Sequence, residues 1–264
     1  MIEVSRSPDG EEFPLPGKDD YITEKSRVEA LVREQRKLGR EIVVVMGLGF
    51  VGAVMAGIVA DTNDAAGNPS KFVIGMQRPS TRSYWKIPLI NRGQAPIKSD
   101  DPEVDRIIRR CVIERKNLIA SFSYDVLSLA DVVVVDIQCD YLKESLGNCR
   151  NGTAEISALE KAFEIIGEKI DPRGLVLIET TVPPGTTENI AFPLINKGFK
   201  RRNIASEPLV AHSYERVMPG KNYVSSIRDF WRVCSGIGEE AKSRVVKFLT
   251  EILNTKQYPL TVLD

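Results

Sequence analysis

Residues 42–46 form an apolar, mostly β-branched run in which polar and apolar residues do not alternate. This pattern predicts a strand buried on both faces, as in a parallel sheet. Further apolar runs that predict strands lie at residues 71–76, 118–120, 130–137 and 175–178. Helices are expected over residues 53–60, 101–114, 123–129, 154–170 and 239–253. Strands that alternate with helices predict an α/β protein with a doubly wound parallel sheet of Rossmann type.

The region before the first strand has two parts. Residues 1–19 are polar and rich in Pro, Gly and acids, so we expect a flexible arm and no signal peptide. Residues 20–40 place Val28, Leu31, Val32 and Leu38 near helical spacing, which predicts an amphipathic N-terminal helix packed on the domain. Residues 41–264 are expected to form one α/β domain.

Composition excludes several classes of partner. Lys and Arg balance Asp and Glu at 36 each, so charge does not favour nucleic acid or an anionic membrane. The apolar runs are shorter than the ~18–20 residues that span a bilayer. The cysteines have no CxxC spacing, and only His212 could join them at a metal; they are Cys111, Cys139, Cys149 and Cys234. We therefore predict no metal site, and reduced thiols in a cytoplasmic protein.

A glycine motif, Gly47-Leu48-Gly49-Phe50-Val51-Gly52, follows the first strand and leads into an apolar helix. Gly47 is expected to make a tight turn, Gly49 to admit a pyrophosphate, and Gly52 to let helix and strand pack closely. The helix N-terminus offers N–H groups and a partial positive charge to the phosphates. A chance glycine-rich turn is the alternative, but the flanking strand and helix favour a dinucleotide site that includes Phe50 and Val51.

The end of the second strand bears on the choice of cofactor. A dinucleotide domain usually carries Asp or Glu there for the ribose hydroxyls, whereas this chain has Gln77 followed by Arg78. A neutral amide can bind ribose, and the arginine would tolerate a 2′-phosphate, so both NAD and NADP stay open. Arg78 could also be simply solvated. Because ligands lie outside the carboxyl ends of parallel strands, the strand ends should converge on one crevice. Those ends are residues 47–52, 77–78, 138–141 and 180–181.

Four motifs in the family's order make the sequence resemble the nucleotide-sugar 6-dehydrogenases, the UDP-glucose/GDP-mannose dehydrogenase family, from about residue 42 to residue 264. The glycine motif is the first, and the others are Asn91-Arg92-Gly93-Gln94-Ala95-Pro96-Ile97, Glu179-Thr180-Thr181-Val182-Pro183-Pro184-Gly185-Thr186-Thr187 and Glu215-Arg216-Val217-Met218-Pro219-Gly220. The form of the last motif resembles the branch that acts on UDP-N-acetylhexosamines, such as UDP-N-acetylmannosamine dehydrogenases.

The resemblance implies an NAD-dependent enzyme that oxidises the C6 alcohol of a nucleotide sugar to an aldehyde, captures it on a cysteine and releases a uronic acid. It implies that Thr181 lies near the nicotinamide and places the reacting oxygen or water. Glu215 would serve as base or activate the hydrolytic water. The resemblance also implies a basic residue near the adenosine end of the cofactor. Counting back from Gly93 gives Lys86 for it, and counting forward from the second strand gives Arg82. Gln138 would join the cofactor site, and the complete enzyme would be a homodimer.

The sequence also departs from the family. Gln77 replaces the ribose-binding acid, Gln138-Cys139 replaces a Thr-Pro pair, and Pro219 replaces a second glutamate. The family's nucleophile motif, Cys-x-Pro-Lys-Asp, has no match at any of the four cysteines. We therefore expect the N-terminal, cofactor-binding half of such an enzyme. His212 is expected to have a structural role, because this chemistry does not require a histidine.

Two alternative functions remain. The first is a non-catalytic dinucleotide-binding module, suggested by the missing nucleophile. The second is a β-hydroxyacid or 6-phosphogluconate-type dehydrogenase, which shares the glycine motif but needs a catalytic lysine on a later helix that has no recognisable match in this sequence.

Overall fold

The structure, a computed structural model, describes residues 3–143 and 152–263, so Cys149 lies outside the described residues. The elements in chain order are β1 Val4–Arg6, β2 Glu12–Pro14, α1 Lys18–Lys37, β3 Glu41–Met46, α2 Phe50–Ala60, β4 Lys71–Met76, α3 Lys86–Asn91, α4 Pro102–Arg109, β5 Leu118–Ser121, β6 Val132–Val135, β7 Asp140–Leu142, β8 Thr153–Glu155, α5 Ser157–Lys169, β9 Leu175–Ile178, α6 Phe192–Arg201, β10 Leu209–His212, α7 Tyr223–Arg228, β11 Val233–Gly236, α8 Gly238–Ile252 and β12 Thr261–Val262.

Eight of these strands form the central sheet, in the order β12-β11-β10-β9-β6-β3-β4-β5. All neighbours from β5 to β10 are parallel, whereas β11 runs antiparallel to β10 and parallel to β12. The order β5-β4-β3-β6-β9-β10 is the 3-2-1-4-5-6 order of the Rossmann fold. The predicted doubly wound α/β sheet is confirmed, and its topological switch point lies between β3 and β6.

Strand β3 shows why apolar runs in this chain do not alternate. Val43 and Val45 pack into a core layer with α2, α4, α7 and α8. Ile42, Val44 and Met46 pack into the opposite layer with α1, α5 and α6. Since helices cover both faces, all five positions from Ile42 to Met46 are buried. The predicted N-terminal helix is α1, and it packs into this second layer.

Charged groups tie the amino-terminal ends of the strands together. Lys71, at the start of β4, has a side chain that is only 4% exposed. It pairs with Glu41 of β3 at 2.6 Å and with Glu251 of α8. Asp131, just before β6, accepts a hydrogen bond from the backbone N–H of Ile42 at 2.8 Å. These contacts join the strands at the amino-terminal end of the sheet. The cavity described below lies at the opposite, carboxyl end.

The N-terminal segment differs from the flexible arm that its composition suggested. Strands β1 and β2 pair as an antiparallel hairpin. Ser5 is buried and accepts a hydrogen bond from the backbone N–H of Trp85 at 3.1 Å. Phe13 is buried too, with the guanidinium of Arg92 5.3 Å from its ring centre. The prediction was wrong because one inward residue per strand is enough to dock the hairpin, which braces the segment just before Lys86.

Three predicted helices have different boundaries or types. The helix expected over residues 154–170 begins at Ser157, because Thr153–Glu155 pairs with β7 instead. The helix expected over residues 101–114 is α-helical to Arg109 and then widens into a π-helix, Arg110–Glu114. Tyr124–Leu129 is a 3₁₀ helix. In the part of the chain that the structure describes, no helix is long and apolar enough to cross a bilayer.

The docked hairpin gives a stability prediction. We expect Phe13→Ala to lower the free energy of unfolding by about 3 kcal/mol, because it empties a buried aromatic site. Val4→Ala serves as the control, since Val4 lies on the same hairpin but is 37% exposed, and it should change stability by less than about 1 kcal/mol. Urea denaturation measures both, and equally small effects would show that the hairpin is not docked.

Candidate functional site

A cavity of about 510 Å³ lies at the carboxyl ends of the parallel strands. We call it the crevice, and it is lined by Gly49, Phe50, Val51, Lys86, Asp136, Gln138, Cys139, Thr180, Thr181 and Glu215. These residues follow β3, β6, β9 and β10, apart from Lys86, which starts α3. Three of the four strand ends expected to converge therefore meet here, at the switch point where ligands bind in such sheets.

The three motif glycines have different surroundings. Gly47 has a φ of +98°, and a Cβ there would lie 2.5 Å from the carbonyl oxygen of Asp136. A Cβ on Gly52 would lie 1.9 Å from the carbonyl oxygen of Gly47. A Cβ on Gly49 would meet no atom within 4 Å. Gly47 and Gly52 thus serve the turn and the packing, whereas Gly49 borders open space at the N-terminus of α2, where a diphosphate fits.

The end of β4 contacts the glycine turn directly. Gln77 Oε1 accepts a hydrogen bond from the backbone N–H of Leu48 at 2.9 Å. Neither Arg78 nor Arg82 lines the crevice, and Arg82 is exposed. Lys86 does line it, and burial lowers the pKa of its ammonium. Of the two basic residues that counting from the motifs allowed, the geometry therefore brings Lys86 to the crevice.

The Glu-Thr-Thr motif joins the ends of β6 and β9. Thr180 Oγ1 donates to the carbonyl oxygens of Val135 at 3.2 Å and Ile137 at 2.7 Å. The next residue, Thr181, lines the crevice and also an adjoining cavity of about 370 Å³. Glu215 lines both cavities as well. The two sequence-predicted catalytic residues, which lie on different loops, thus meet at the boundary between two cavities.

Glu215 is held by backbone contacts. Its N–H donates to the carbonyl oxygen of Glu179 at 3.2 Å, and its Oε2 accepts from the N–H of Val217 at 2.8 Å. The guanidinium of Arg232 donates to the carbonyl oxygen of Tyr214 at 3.0 Å. These contacts fix the loop after β10 against the end of β9, and with it the Glu215 side chain.

A buried charged cluster lies beneath the crevice. Arg232 Nη2 lies 2.8 Å from Glu179 Oε1, and neither side chain has any exposed surface. Both carboxylate oxygens of Asp136 are also shielded from solvent. Burial, followed by the nearby Glu179, raises the pKa of Asp136 well above its ordinary value. Sequence analysis missed Asp136 and Arg232; the available signal was an acid that ends an uninterrupted apolar strand.

Two aromatic side chains support the loops around the crevice. His212 Nε2 lies 3.3 Å from the carbonyl oxygen of Thr180, and burial lowers the pKa of this imidazole. A neutral packed histidine fits the structural role expected for it. Tyr223, which the sequence analysis did not single out, donates its hydroxyl to the carbonyl oxygen of Phe50 at 2.7 Å. This bond ties α7 to the first residue of α2.

The described cysteines are not activated nucleophiles. Cys111 and Cys234 are buried, and burial raises the pKa of both thiols, that of Cys111 to about 12. Burial also raises the pKa of Cys139, although this thiol lines the crevice. Thiols with raised pKa values supply little thiolate at neutral pH. Within residues 3–143 and 152–263, no cluster of His, Cys, Asp and Glu could hold a metal ion.

Known proteins similar to this chain include several nucleotide-sugar dehydrogenases. The UDP-N-acetyl-D-mannosamine dehydrogenase of Pyrococcus horikoshii is 29% identical over 206 residues, which are 78% of this chain and 43% of that protein. The GDP-mannose 6-dehydrogenase of Pseudomonas aeruginosa is 30% identical over 156 residues, which are 58% of this chain and 31% of that protein. The crystal structure of the NDP-N-acetyl-D-galactosaminuronic acid dehydrogenase from Methanosarcina mazei Go1 superposes with a TM-score of 0.73 at 27% identity, covering 89% of this chain and 46% of that one.

The chain spans less than half the length of these relatives. Residues 41–254 match the NAD binding domain of the UDP-glucose/GDP-mannose dehydrogenase family. This match covers the sheet from β3 to β11, the glycine turn and the crevice. It confirms the resemblance carried by the four sequence motifs. The chain therefore belongs to the UDP-glucose/GDP-mannose dehydrogenase family, of which residues 41–254 form the NAD-binding domain.

Proposed function

We propose that this chain binds NAD in the crevice and supplies the cofactor-binding half of an enzyme that oxidises the C6 alcohol of a nucleotide sugar to a uronic acid. The observation that carries the proposal is the position of Thr181 and Glu215, which line both the crevice and the adjoining cavity. A sugar in the adjoining cavity would have its reacting carbon at their boundary. NAD, when bound, supplies the hydride acceptor.

Several groups around the crevice suit a dinucleotide. The N-terminus of α2 faces open space at Gly49 and would hold the diphosphate through backbone N–H groups. Lys86 adds a cation on the crevice wall, and Gln138 adds an amide. The carbonyl oxygen of the Gln77 amide is committed to Leu48, so ribose recognition would involve its amide nitrogen or Arg78. A 2′-phosphate on NADP would then be tolerated.

The catalytic roles follow from the chemistry of alcohol oxidation. When a hydride leaves C6, the hydroxyl proton must also be removed, and a carboxylate held at the site can accept it. We assign this role to Glu215, whose loop is fixed by Arg232. The Thr181 hydroxyl would hydrogen-bond the reacting oxygen. In the later hydrolysis, Glu215 would activate the attacking water.

A UDP-N-acetylhexosamine is the substrate that we propose. Two of the relatives described above are named for N-acetylated sugars, and Glu215 begins a motif of the form found in that branch. In the adjoining cavity, the guanidinium of Arg216 lies 5.0 Å from the ring centre of Phe230. This cation would suit the diphosphate of a nucleotide sugar.

Complete two-step oxidation is proposed only for an enzyme with the full length of the relatives. It needs an activated cysteine, and the thiols of Cys111, Cys139 and Cys234 all have raised pKa values. We propose that such an enzyme is a cytoplasmic homodimer that binds no nucleic acid.

A non-catalytic dinucleotide-binding module is the second candidate. Two observations favour it: the absence of an activated thiol among the described residues, and Gln138-Cys139 in place of the family's Thr-Pro pair. Such a module would bind NAD in the same crevice without turnover.

The glycine turn gives a first test of the cofactor site. Gly49→Ala should weaken NAD binding by about tenfold or more without lowering the melting temperature, because its Cβ enters only the open space meant for the diphosphate. Gly52→Ala is the matched variant, and it should lower the melting temperature because its Cβ would meet the Gly47 carbonyl. Calorimetric titration and thermal unfolding measure the two effects. Unchanged NAD affinity in Gly49→Ala would contradict the placement of the diphosphate.

Cofactor preference is tested at Arg78. If its guanidinium binds a 2′-phosphate, Arg78→Ala should weaken NADP by about tenfold and leave NAD within about twofold, since a charge-assisted hydrogen bond is lost only with NADP. Arg201→Ala, on α6, is the control for removing a positive charge elsewhere. Equal effects of Arg78→Ala on the two cofactors would refute that role.

Turnover separates the two candidate functions. The product of the complete coding sequence should form NADH from NAD and UDP-N-acetylmannosamine, as followed by absorbance. Glu215→Gln should keep NAD affinity and slow turnover by about a hundredfold, because an amide cannot accept the proton. If the wild-type product binds NAD but forms no NADH with any UDP-N-acetylhexosamine, the non-catalytic module is the better description.

A further inference from the structure

Asp136 lies where the floor of the crevice meets the glycine turn. Its backbone N–H donates to the carbonyl oxygen of Met46 at 2.8 Å, which keeps the end of β6 beside the end of β3. A Cβ on Gly52 would lie 3.0 Å from the Cβ of Asp136. Asp136 is also among the residues that line the crevice. Its side chain therefore starts against the first turn of α2, beside the place where the diphosphate is proposed to bind.

The charged and titratable groups around Asp136 come from four loops or helices. Asp136 and Glu179 directly follow Val135 and Ile178, which are register partners in the parallel strands β6 and β9. Glu215 follows β10, Arg232 precedes β11, and Tyr223 lies on α7. Tyr223 stays a neutral phenol because burial raises the pKa of its hydroxyl, and that hydroxyl is bonded to a backbone carbonyl. Among these neighbours, Arg232 is the one cation, and it pairs with Glu179 at 2.8 Å.

Charge balance decides where a proton must lie. With both Asp136 and Glu179 ionised, the shielded cluster would carry two negative charges against one positive charge, with Glu215 nearby. An unpaired charge without water is costly, so one acid should remain protonated. Because Arg232 contacts Glu179, the proton belongs on Asp136. The raised pKa of Asp136 agrees with this assignment.

We propose that Asp136 is a positioning residue of the NAD site: it stays a neutral acid near neutral pH and donates a hydrogen bond to Glu179. This bond would hold the crevice floor without placing a negative charge below the diphosphate. The inference rests on the proposed binding of NAD in the crevice. It concerns a residue that none of the four family motifs contains.

The bond would also connect the two parts of the site. On one side, Asp136 abuts the glycine turn at Gly47 and Gly52. On the other side, Glu179 binds Arg232, whose guanidinium donates to the carbonyl that precedes Glu215. A single chain of contacts thus runs from the diphosphate position to the proposed base. Loss of the first donor should loosen both ends.

Infrared spectroscopy tests the protonation state directly. Near neutral pH, the wild-type chain should show the carbonyl-stretch band of a shielded, protonated carboxylic acid, and Asp136→Asn should lack it. Asp171→Asn is the control, because Arg173 holds the pKa of that carboxyl below its usual range and it should contribute no such band. A band that persists in Asp136→Asn, or a wild-type chain with no band, would overturn the proposal.

Calorimetric titration with NAD tests the positioning role. Asp136→Asn should bind NAD within about threefold of wild type, because the amide can still donate to Glu179, whereas Asp136→Ala should bind about tenfold more weakly. Equal losses in both variants would indicate an ionised acceptor instead, and no loss in Asp136→Ala would remove the positioning role. If the wild-type chain binds no NAD, the proposed function fails, and the infrared result still decides the protonation of Asp136.

Discussion

Strands β3 and β6 run side by side at the centre of the sheet, and the chain leaves their carboxyl ends toward opposite faces. The close approach at this point sets the geometry of the whole crevice. A Cβ on Gly47 would lie 2.5 Å from the Asp136 carbonyl oxygen, so the two backbones touch where the strands part. The crevice lies beyond that contact, at the switch point of the sheet.

Partly buried hydrogen bonds hold the loops around this cleft. Thr180 bonds two carbonyls at the end of β6, Gln77 bonds the turn after β3, and Arg232 bonds the loop after β10. A buried ion pair such as Arg232–Glu179 is weak evidence for stability, because desolvation opposes the Coulombic attraction. Its directional bonds nevertheless select one arrangement of loops, which a binding site requires.

Much of the fold could be predicted from the sequence because its signals are local. Apolar runs identified β3, β4, β6 and β9, and the helix expected after the glycine motif is α2, which begins at Phe50 rather than at residue 53. The N-terminal hairpin was missed because its docking depends on Ser5 and Phe13, two inward residues in a polar segment. The start of α5 was missed because β8 pairs with β7, and strand pairing overrides local helical spacing.

The candidate site was predictable only in part, for a similar reason. Motifs singled out Thr181 and Glu215, and both line the crevice, but the convergence predicted from parallel strands did not include the loop that carries Glu215. The shielded cluster was not predicted, since Asp136, Glu179 and Arg232 are far apart in the chain and no single motif contains them. Counting residues also could not decide between Arg82 and Lys86, because the segment after β4 differs in length from the family pattern. In the structure Lys86 lines the crevice and Arg82 does not.

The two ends of the sheet have different roles: one joins the strands, and the other forms the crevice. At the amino-terminal end, Lys71 with its two glutamates and Asp131 with Ile42 join strands to each other and to α8. The residues that line the crevice lie at the carboxyl end of the sheet, on loops that contribute little to these contacts between strands. Substitutions in the crevice loops can therefore change what the crevice binds while the anchoring end preserves the scaffold.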